Sequence, residues 1–204
     1  NLTMIKYMVI SGGLYYGYHE MGAIQCLIKN NYFSLKNIKK IYATSVGGMV
    51  GALLCTKIKL NTLVKYLTNT SWHKVVKFNH EQLFALYNAN GLYGEELFHA
   101  AIDKVLEAKG LSANITLKEF YDYSRIELIL YTTELTDLRL DKISYVTHPD
   151  LELVKALYFT CAYPFIFKPG VYGDSVYIDG GVICNYPLEE CLKNHDKDEI
   201  LGIH

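Results

Sequence analysis

Apolar residues recur along this chain in two patterns, one typical of buried strands and one typical of helices. Short apolar runs predict strands at about 6–11, 40–44, 126–133, 142–147, 176–179 and 199–203. Helical periodicity predicts helices at about 17–29, 46–56, 60–70, 94–108, 150–160 and 187–194. Early strands alternate with helices, and this order predicts an α/β fold with a largely parallel central sheet and helices on both faces.

Length and composition favour a single domain. The chain has 204 residues, 50% hydrophobic and 20% charged, which is enough for one well-packed core and short for two. We therefore expect one domain over 1–204, with a cap or lid at about 70–93, where Asn, His, Tyr and Phe interrupt the regular pattern. The last apolar run resembles another core strand, so we allow for a native chain that extends beyond either end.

Membrane, export and metal signals are missing from the sequence. No apolar run reaches the roughly eighteen residues that a membrane span needs, and the first residues lack the basic start and apolar core of a signal peptide. The five cysteines are an odd number without a C-x-x-C pair, which favours reduced thiols. We expect an intracellular protein, soluble or peripherally membrane-associated, that uses no metal or other cofactor.

The net charge of −1 conceals an asymmetry along the chain. Residues 1–80 hold ten lysines and one acid, Glu20, whereas residues 81–204 hold ten basic and twenty acidic residues. Lysines interleaved with apolar residues suit docking on a peripheral membrane surface, possibly an anionic one, and the alternative is that the two parts neutralise each other. Nucleic acid is not an expected partner, because no arginine precedes Arg125 and no binding motif occurs.

The most distinctive segment joins an apolar strand to a helix through a serine. Residues 41–48 read IYATSVGG, with Ser45 between the strand and the helix. A nucleophile elbow needs small side chains two positions before and after its serine, and Ala43 and Gly47 meet that need. Such a turn exposes the hydroxyl at a helix N-terminus, where developing negative charge is stabilised.

Two glycine-rich segments also follow predicted strands. Residues 7–17 read YMVISGGLYYG, a strand, glycine and helix order that presents backbone N–H groups to an anion. Residues 177–187 read YIDGGVICNYP, in which Asp179 ends a strand and two glycines let the backbone pass close to its neighbours.

Taken in order, these three segments resemble the patatin-like phospholipase family, over about residues 7–203. The resemblance implies a patatin-like sheet related to the three-layer sandwiches of α/β-hydrolases. It implies a Ser45–Asp179 catalytic dyad, an oxyanion hole made by the Gly12, Gly13 and Leu14 loop, and an acyl-enzyme intermediate. The implied activity is that of a lipid acyl hydrolase of the phospholipase A type, acting on a phospholipid or other lipid ester.

The glycine loop departs from the family pattern at two positions. The family carries a third glycine where this chain has Leu14, and a basic residue where it has Tyr16. A leucine forced to positive φ costs about 1 kcal/mol or more. These departures leave open a catalytically impaired, lipid-binding member of the family.

The residues alone also raise a catalytic triad and a nucleotide-binding loop as competing interpretations. The order Ser45, Asp179, His195 would suit a Ser-His-Asp esterase or thioesterase, although His195 lies in the polar run NHDKD and is expected to face solvent. Dinucleotide binding is excluded, because G-x-G-x-x-G is not met and no acid occurs between Glu20 and Glu81.

Overall fold

The structure is a computed structural model that describes residues 4–70 and 91–204. The cap or lid predicted at about 70–93 falls almost entirely on residues 71–90 and so lies outside the described part of the chain.

A seven-stranded sheet forms the centre of the described protein. Its strands are β1 (Tyr7–Ile10), β2 (Lys40–Thr44), β3 (Glu127–Glu134), β4 (Arg139–Ile143), β5 (Gly170–Tyr172), β6 (Ser175–Asp179) and β7 (Ile200–Ile203). The helices are α1 (Gly17–Lys29), α2 (Val46–Cys55), α3 (Leu60–Asn69), α4 (Glu96–Glu107), α5 (Leu117–Ser124), α6 (Leu153–Cys161) and α7 (Leu188–Leu192). None of the described helices has the length and hydropathy that crossing a bilayer requires.

The sheet has a parallel and an antiparallel part that meet at β3. Strands β7, β1, β2 and β3 pair in parallel, whereas β4 and β6 pair antiparallel with β3, and β5 pairs antiparallel with β6. The mixed α/β class predicted from the sequence is confirmed. Two of the antiparallel pairs, β3–β4 and β5–β6, follow from short connections, because a tight turn can join only antiparallel neighbours.

Alternate residues of the central strands face opposite layers. In β1, Met8 and Ile10 enter the larger core beneath α2 and α6, while Val9 enters a smaller core on the other face with Cys191 of α7. Strand β2 repeats the pattern, with Ile41 in the larger core and Tyr42 in the smaller. Helices therefore cover both faces of the sheet, as the sequence predicts.

The two ends of the parallel strands differ in charge. We call them the carboxyl end, where β1 and β2 finish, and the amino end, where they begin. Lys6 at the amino end pairs with Glu199, and Lys40 pairs with Glu127 at 2.9 Å. Both pairs join the cationic first part of the chain to the acidic second part.

Candidate active site

Ser45 occupies the sharp turn between β2 and α2 at the carboxyl end of the sheet. Its backbone has φ 53° and ψ −128°, a conformation that residues other than glycine adopt rarely and that costs on the order of 1–3 kcal/mol. Gly47 permits the turn, because a Cβ there would lie 2.3 Å from the Ser11 carbonyl oxygen and 2.7 Å from that of Ile10. The predicted elbow is thus present, with Ser45 8% exposed.

Ser45 and Asp179 meet because β2 and β6 end against the same edge of β3. Tyr131 pairs with β2 and β4, and Thr132 pairs with β4 and β6. Each strand has only two edges, so β2 and β6 both lie opposite β4. They run in opposite directions, with Thr44 beside Tyr131 and Asp179 beside Thr132, so their carboxyl ends face each other.

The two side chains are joined by a short hydrogen bond. Ser45 Oγ donates to Asp179 Oδ2 at 2.6 Å, and the other carboxylate oxygen accepts the Gly181 N–H at 2.7 Å. Burial raises the pKa of Asp179 above its ordinary value, while the hydrogen bonds from Ser45 and Gly181 act in the opposite direction. A partly dry carboxylate in contact with a serine hydroxyl is suited to accept its proton.

Thr160 fixes the backbone of the elbow, a role that the sequence patterns do not predict. Its Oγ1 accepts the Ser45 N–H at 2.9 Å and donates to the Tyr131 carbonyl oxygen. Thr160 thereby ties the strained turn to β3 from within α6. The sequence marks this stretch only through the small residues and proline that follow it, and nothing in that pattern shows a threonine contacting the elbow.

The glycine loop packs directly on the serine. A Cβ on Gly12 would lie 3.1 Å from Ser45 Cβ and 2.4 Å from Asn185 Oδ1. Asn185 holds the loop, accepting the Gly12 N–H on its main-chain carbonyl oxygen at 2.9 Å and donating from Nδ2 to the Gly12 carbonyl oxygen at 3.1 Å. Asn185 is therefore a second positioning residue. It lies in the D-G-G segment at 177–187, but the sequence pattern does not predict its contact with Gly12.

The three predicted oxyanion-hole residues are not equivalent. Because the Gly12 N–H is donated to Asn185, its predicted role remains a prediction that requires this bond to open. The N–H groups of Gly13 and Leu14 have no acceptor within residues 4–70 and 91–204. These two amides are thus the ones available to an incoming oxygen.

Leu14 has the positive φ that is costly for a leucine. Its φ is 49°, where the family glycine would carry no Cβ penalty. Tyr16, in the place of the basic residue, stacks on Tyr15 with ring centroids 4.9 Å apart and donates its N–H to the Gly13 carbonyl oxygen at 2.9 Å. Local hydrogen bonds and the contact with Asn185 therefore anchor the loop without the basic side chain.

A buried acid lies behind the loop. Glu20 is 4% exposed, and its Oε1 accepts the Ser11 hydroxyl at 3.2 Å. Its Oε2 has no hydrogen-bond partner among the described residues. Burial raises the Glu20 pKa to about 7, against the weaker opposing effect of Ser11. In the sequence, Glu20 is distinguished only as the single acid of residues 1–80, and no pattern there predicts that it is buried behind the loop.

The histidine of the competing triad is engaged elsewhere. His195 Nε2 lies 2.9 Å from the Tyr42 hydroxyl, and its ring stacks on Tyr7 with centroids 3.5 Å apart. Burial lowers the His195 pKa. His195 lies in a polar loop, as predicted, but its ring is half-buried against Tyr7 and Tyr42 instead of fully solvated, and these contacts differ from the contact with Asp179 that the triad requires. No described histidine is hydrogen-bonded to either member of the dyad.

An apolar groove of about 210 Å³ opens beside the elbow. It begins between Leu14 of the glycine loop and Val46, which follows Ser45. It continues along α2 past Met49 and Leu53 toward Leu67 of α3. Among the described residues no cluster of His, Cys, Asp or Glu could hold a metal ion.

Two curated viral proteins are similar to this chain over nearly its whole length. An uncharacterized protein of Acanthamoeba polyphaga mimivirus is 29% identical over 203 residues, covering 98% of this chain and 65% of that protein. A probable lipid hydrolase of Invertebrate iridescent virus 6 is 28% identical over 197 residues, covering 94% of this chain and 65% of that protein. The chain therefore spans 65% of the length of these two curated relatives.

The fold also matches a solved structure. VipD from Legionella pneumophila superposes with a TM-score of 0.70 at 17% identity, covering 98% of this chain and 49% of that one. The family model for patatin-like phospholipases matches residues 8–192, nearly the whole chain. The chain belongs to the patatin-like phospholipase family.

Proposed function

We propose that this protein is a lipid acyl hydrolase of the phospholipase A type, with Ser45 as nucleophile and Asp179 as general base. The observation that carries the proposal is the 2.6 Å hydrogen bond from Ser45 Oγ to the buried Asp179 carboxylate at a strained elbow. Membership of a phospholipase family, and the relative described as a probable lipid hydrolase, support the same class of reaction.

The first half of the reaction forms an acyl-enzyme. Asp179 takes the proton of Ser45 as Oγ attacks the ester carbonyl carbon, and the carbonyl π electrons move onto its oxygen. We assign the stabilisation of that oxyanion to the Gly13 and Leu14 N–H groups, and one such donor contributes about 3 kcal/mol at other acyl-transfer sites. The oxyanion then collapses, the ester C–O bond breaks, and the leaving alcohol takes the proton from Asp179.

The second half reverses these roles with water. Asp179 removes a proton from a water molecule that attacks the acyl carbon, and Ser45 leaves with that proton. No histidine is needed, because one carboxylate moves the proton in both steps. A raised pKa suits this task, since a stronger base accepts the serine proton more readily.

The surroundings of the serine favour a substrate with an acyl chain. The groove between Leu14 and Val46 is almost wholly apolar and starts at the residues that flank the nucleophile and the oxyanion loop. We therefore propose a phospholipid or other lipid ester as substrate, presented at a peripheral membrane surface.

The test is site-specific labelling with a serine-reactive phosphonate. We expect the wild-type protein to be labelled at Ser45, and Ser45→Ala to lose both the label and ester hydrolysis while its thermal unfolding is unchanged. Ser112→Ala, at an exposed serine in a loop, is the control and should keep both. Labelling at another serine, or hydrolysis by Ser45→Ala, would overturn the dyad.

A second candidate is a lipid-binding member without catalysis. The observation that favours it is Leu14 at φ 49° in the oxyanion loop, in place of the family glycine. In that case the phosphonate should label no residue, while lipid vesicles still bind.

A further inference from the structure

Three loop segments at the carboxyl end converge on the dyad. Residues 11–18 follow β1 and place Gly12 against Ser45. Residues 162–167 follow α6, and their first carbonyl oxygen, that of Ala162, accepts the Asp179 N–H at 3.0 Å. Residues 180–187 follow β6, and Gly181 donates its N–H to the Asp179 carboxylate at 2.7 Å. Each segment then leaves the site toward solvent.

These segments carry large apolar side chains on their outer surface. We define the apolar collar as two residues from each segment: Leu14, Tyr15, Tyr163, Phe165, Val182 and Ile183. All six are exposed, and Phe165, at 76%, is among the most exposed apolar side chains described. Apolar residues scattered singly on a surface need no explanation, but a cluster around a catalytic serine marks an interaction surface.

The backbone of the collar is strained at Phe165. Phe165 has φ 71°, the left-handed region, where a bulky side chain is a genuine outlier. Phe165 lies in a turn that the Ile166 and Phe167 N–H groups close on the Tyr163 carbonyl oxygen, and its side chain is mostly exposed there. Strained residues of this kind cluster at binding and catalytic sites.

The collar is also uncharged. Residues 11–18, 162–167 and 180–187 contain no Lys, Arg, His, Asp or Glu. Two described lysines of the first part of the chain lie at the amino end, with Lys40 starting β2 and Lys57 following α2. Helix α2 separates Lys57 from Ser45 by ten residues, about 15 Å. Lys40 and Lys57 are therefore not part of the surface that surrounds the serine.

We propose that the apolar collar docks on the surface of a lipid bilayer by inserting uncharged side chains around Ser45, without a requirement for anionic lipid. The inference rests on the proposed function, since the bilayer is the source of the lipid ester. Tyrosine suits this position, because its ring enters the apolar layer while its hydroxyl remains hydrated. The apolar groove is lined by Leu14, which belongs to the collar, and by Val46 beside Ser45, so a docked protein would have a place for the acyl chain next to the collar.

The test measures binding to vesicles of phosphatidylcholine alone, in the Ser45→Ala background so that no lipid is consumed. The double variant Tyr15→Ser/Phe165→Asn removes two collar side chains, and asparagine tolerates the left-handed φ at 165. We expect its binding to be weaker by about tenfold or more.

The matched control is Tyr32→Ser/Leu138→Asn. Tyr32 is exposed beyond α1 at the amino end, and Leu138 is exposed with φ 50° in the turn between β3 and β4. The same two kinds of change made outside the collar should alter vesicle binding by no more than about twofold. Equal thermal unfolding of the two double variants confirms that both fold.

Salt and lipid charge provide the deciding comparison. Binding through the collar should persist between about 0.1 M and about 1 M salt, where screening weakens contacts with anionic lipid. If binding needs phosphatidylserine and falls with salt, or if the collar variant binds as well as its control, the proposal is overturned. Because no hydrolysis is measured, failure here is distinct from failure of the dyad, which Ser45 labelling decides.

Discussion

Both ends of the sheet contain residues with positive φ, which is rare outside glycine, but they use it for different purposes. At the amino end, Asn31, Lys57 and Arg125 have positive φ, and each ends a helix by donating its N–H to a carbonyl oxygen of that helix. At the carboxyl end, Leu14 and Ser45 have positive φ without ending a helix. There the positive φ occurs at the elbow serine and in the glycine loop whose Gly12 packs on that serine.

Polar side chains differ in the same way between the two ends. At the amino end, Lys6 and Lys40 are paired with acids from the second part of the chain. At the carboxyl end, Asp179 and Glu20 are buried carboxyls that pair with no cation within residues 4–70 and 91–204, and burial raises the pKa of each. The lysines at the amino end are neutralised by ion pairs, whereas the two carboxyls at the carboxyl end have raised pKa values and can change their protonation state.

The largest expected effect is on activity at the carboxyl end. Asp179→Asn keeps the shape of the site but removes the base, so ester hydrolysis should fall by about 10²–10⁴-fold. His195→Ala, which removes a contact with Tyr42, should cost less than about tenfold. The measurement is kcat/KM on a soluble ester, and a larger loss for His195→Ala than for Asp179→Asn would contradict the dyad.

The pH profile sharpens that prediction. The base acts only when ionised, so activity should fall as pH drops through the pKa of Asp179, which burial raises above its ordinary value. Below that pKa the loss should approach tenfold per pH unit. A profile that is flat down to the ordinary aspartate range would show that another group carries the proton.

Gly47→Ala tests whether the elbow depends on close approach. The added Cβ would lie 2.3 Å from the Ser11 carbonyl oxygen and 2.7 Å from that of Ile10. We therefore expect the free energy of unfolding to fall by about 3 kcal/mol. Gly22→Ala in α1 meets nothing within 4 Å and should stabilise the helix by about 0.5–1 kcal/mol. Chemical denaturation measures both, and equal effects would contradict the steric argument.

Glu20→Gln tests the unpaired buried acid. The folded protein holds Glu20 protonated up to pH about 7, whereas the unfolded chain ionises it near 4.5. Wild-type stability should therefore fall as pH rises between these values, by about 3 kcal/mol in total. Glu20→Gln has no carboxyl to ionise and so does not lose this stability. Its free energy of unfolding should equal that of the wild type near pH 4.5 and exceed it by about 3 kcal/mol above pH about 7. An advantage independent of pH would indicate packing alone.

The smallest expected effect compares the two uses of positive φ directly. Leu14→Gly and Lys57→Gly each relieve a left-handed residue, and each should stabilise the fold by up to about 1 kcal/mol. Only Leu14→Gly should also change kcat, because its amide belongs to the proposed oxyanion hole. If Lys57→Gly also changed kcat, the claim that positive φ affects catalysis only at the carboxyl end would be contradicted.

Much of the fold could be predicted because local pattern and tertiary packing agree. The helices predicted at 17–29 and 46–56 match α1 and α2 closely, and the strand at 40–44 matches β2. Helix α5 is absent from the predicted helices because it has only eight residues, and its two buried apolar side chains, Leu117 and Phe120, are too few to establish a helical period over a window of about ten or more residues. Its start is instead fixed by a capping box between Thr116 and Glu119, a signal that the sequence does contain.

The class of fold and the residues proposed as the dyad could be predicted from the chain alone, because the elbow and the D-G-G segment need particular small residues at fixed positions. Three contacts are visible only in the folded protein: Asn185 engages Gly12, Thr160 holds the Ser45 amide, and His195 stacks on Tyr7. These contacts join residues 115 or more positions apart, and no local pattern encodes which distant partner a side chain reaches when the strands assemble.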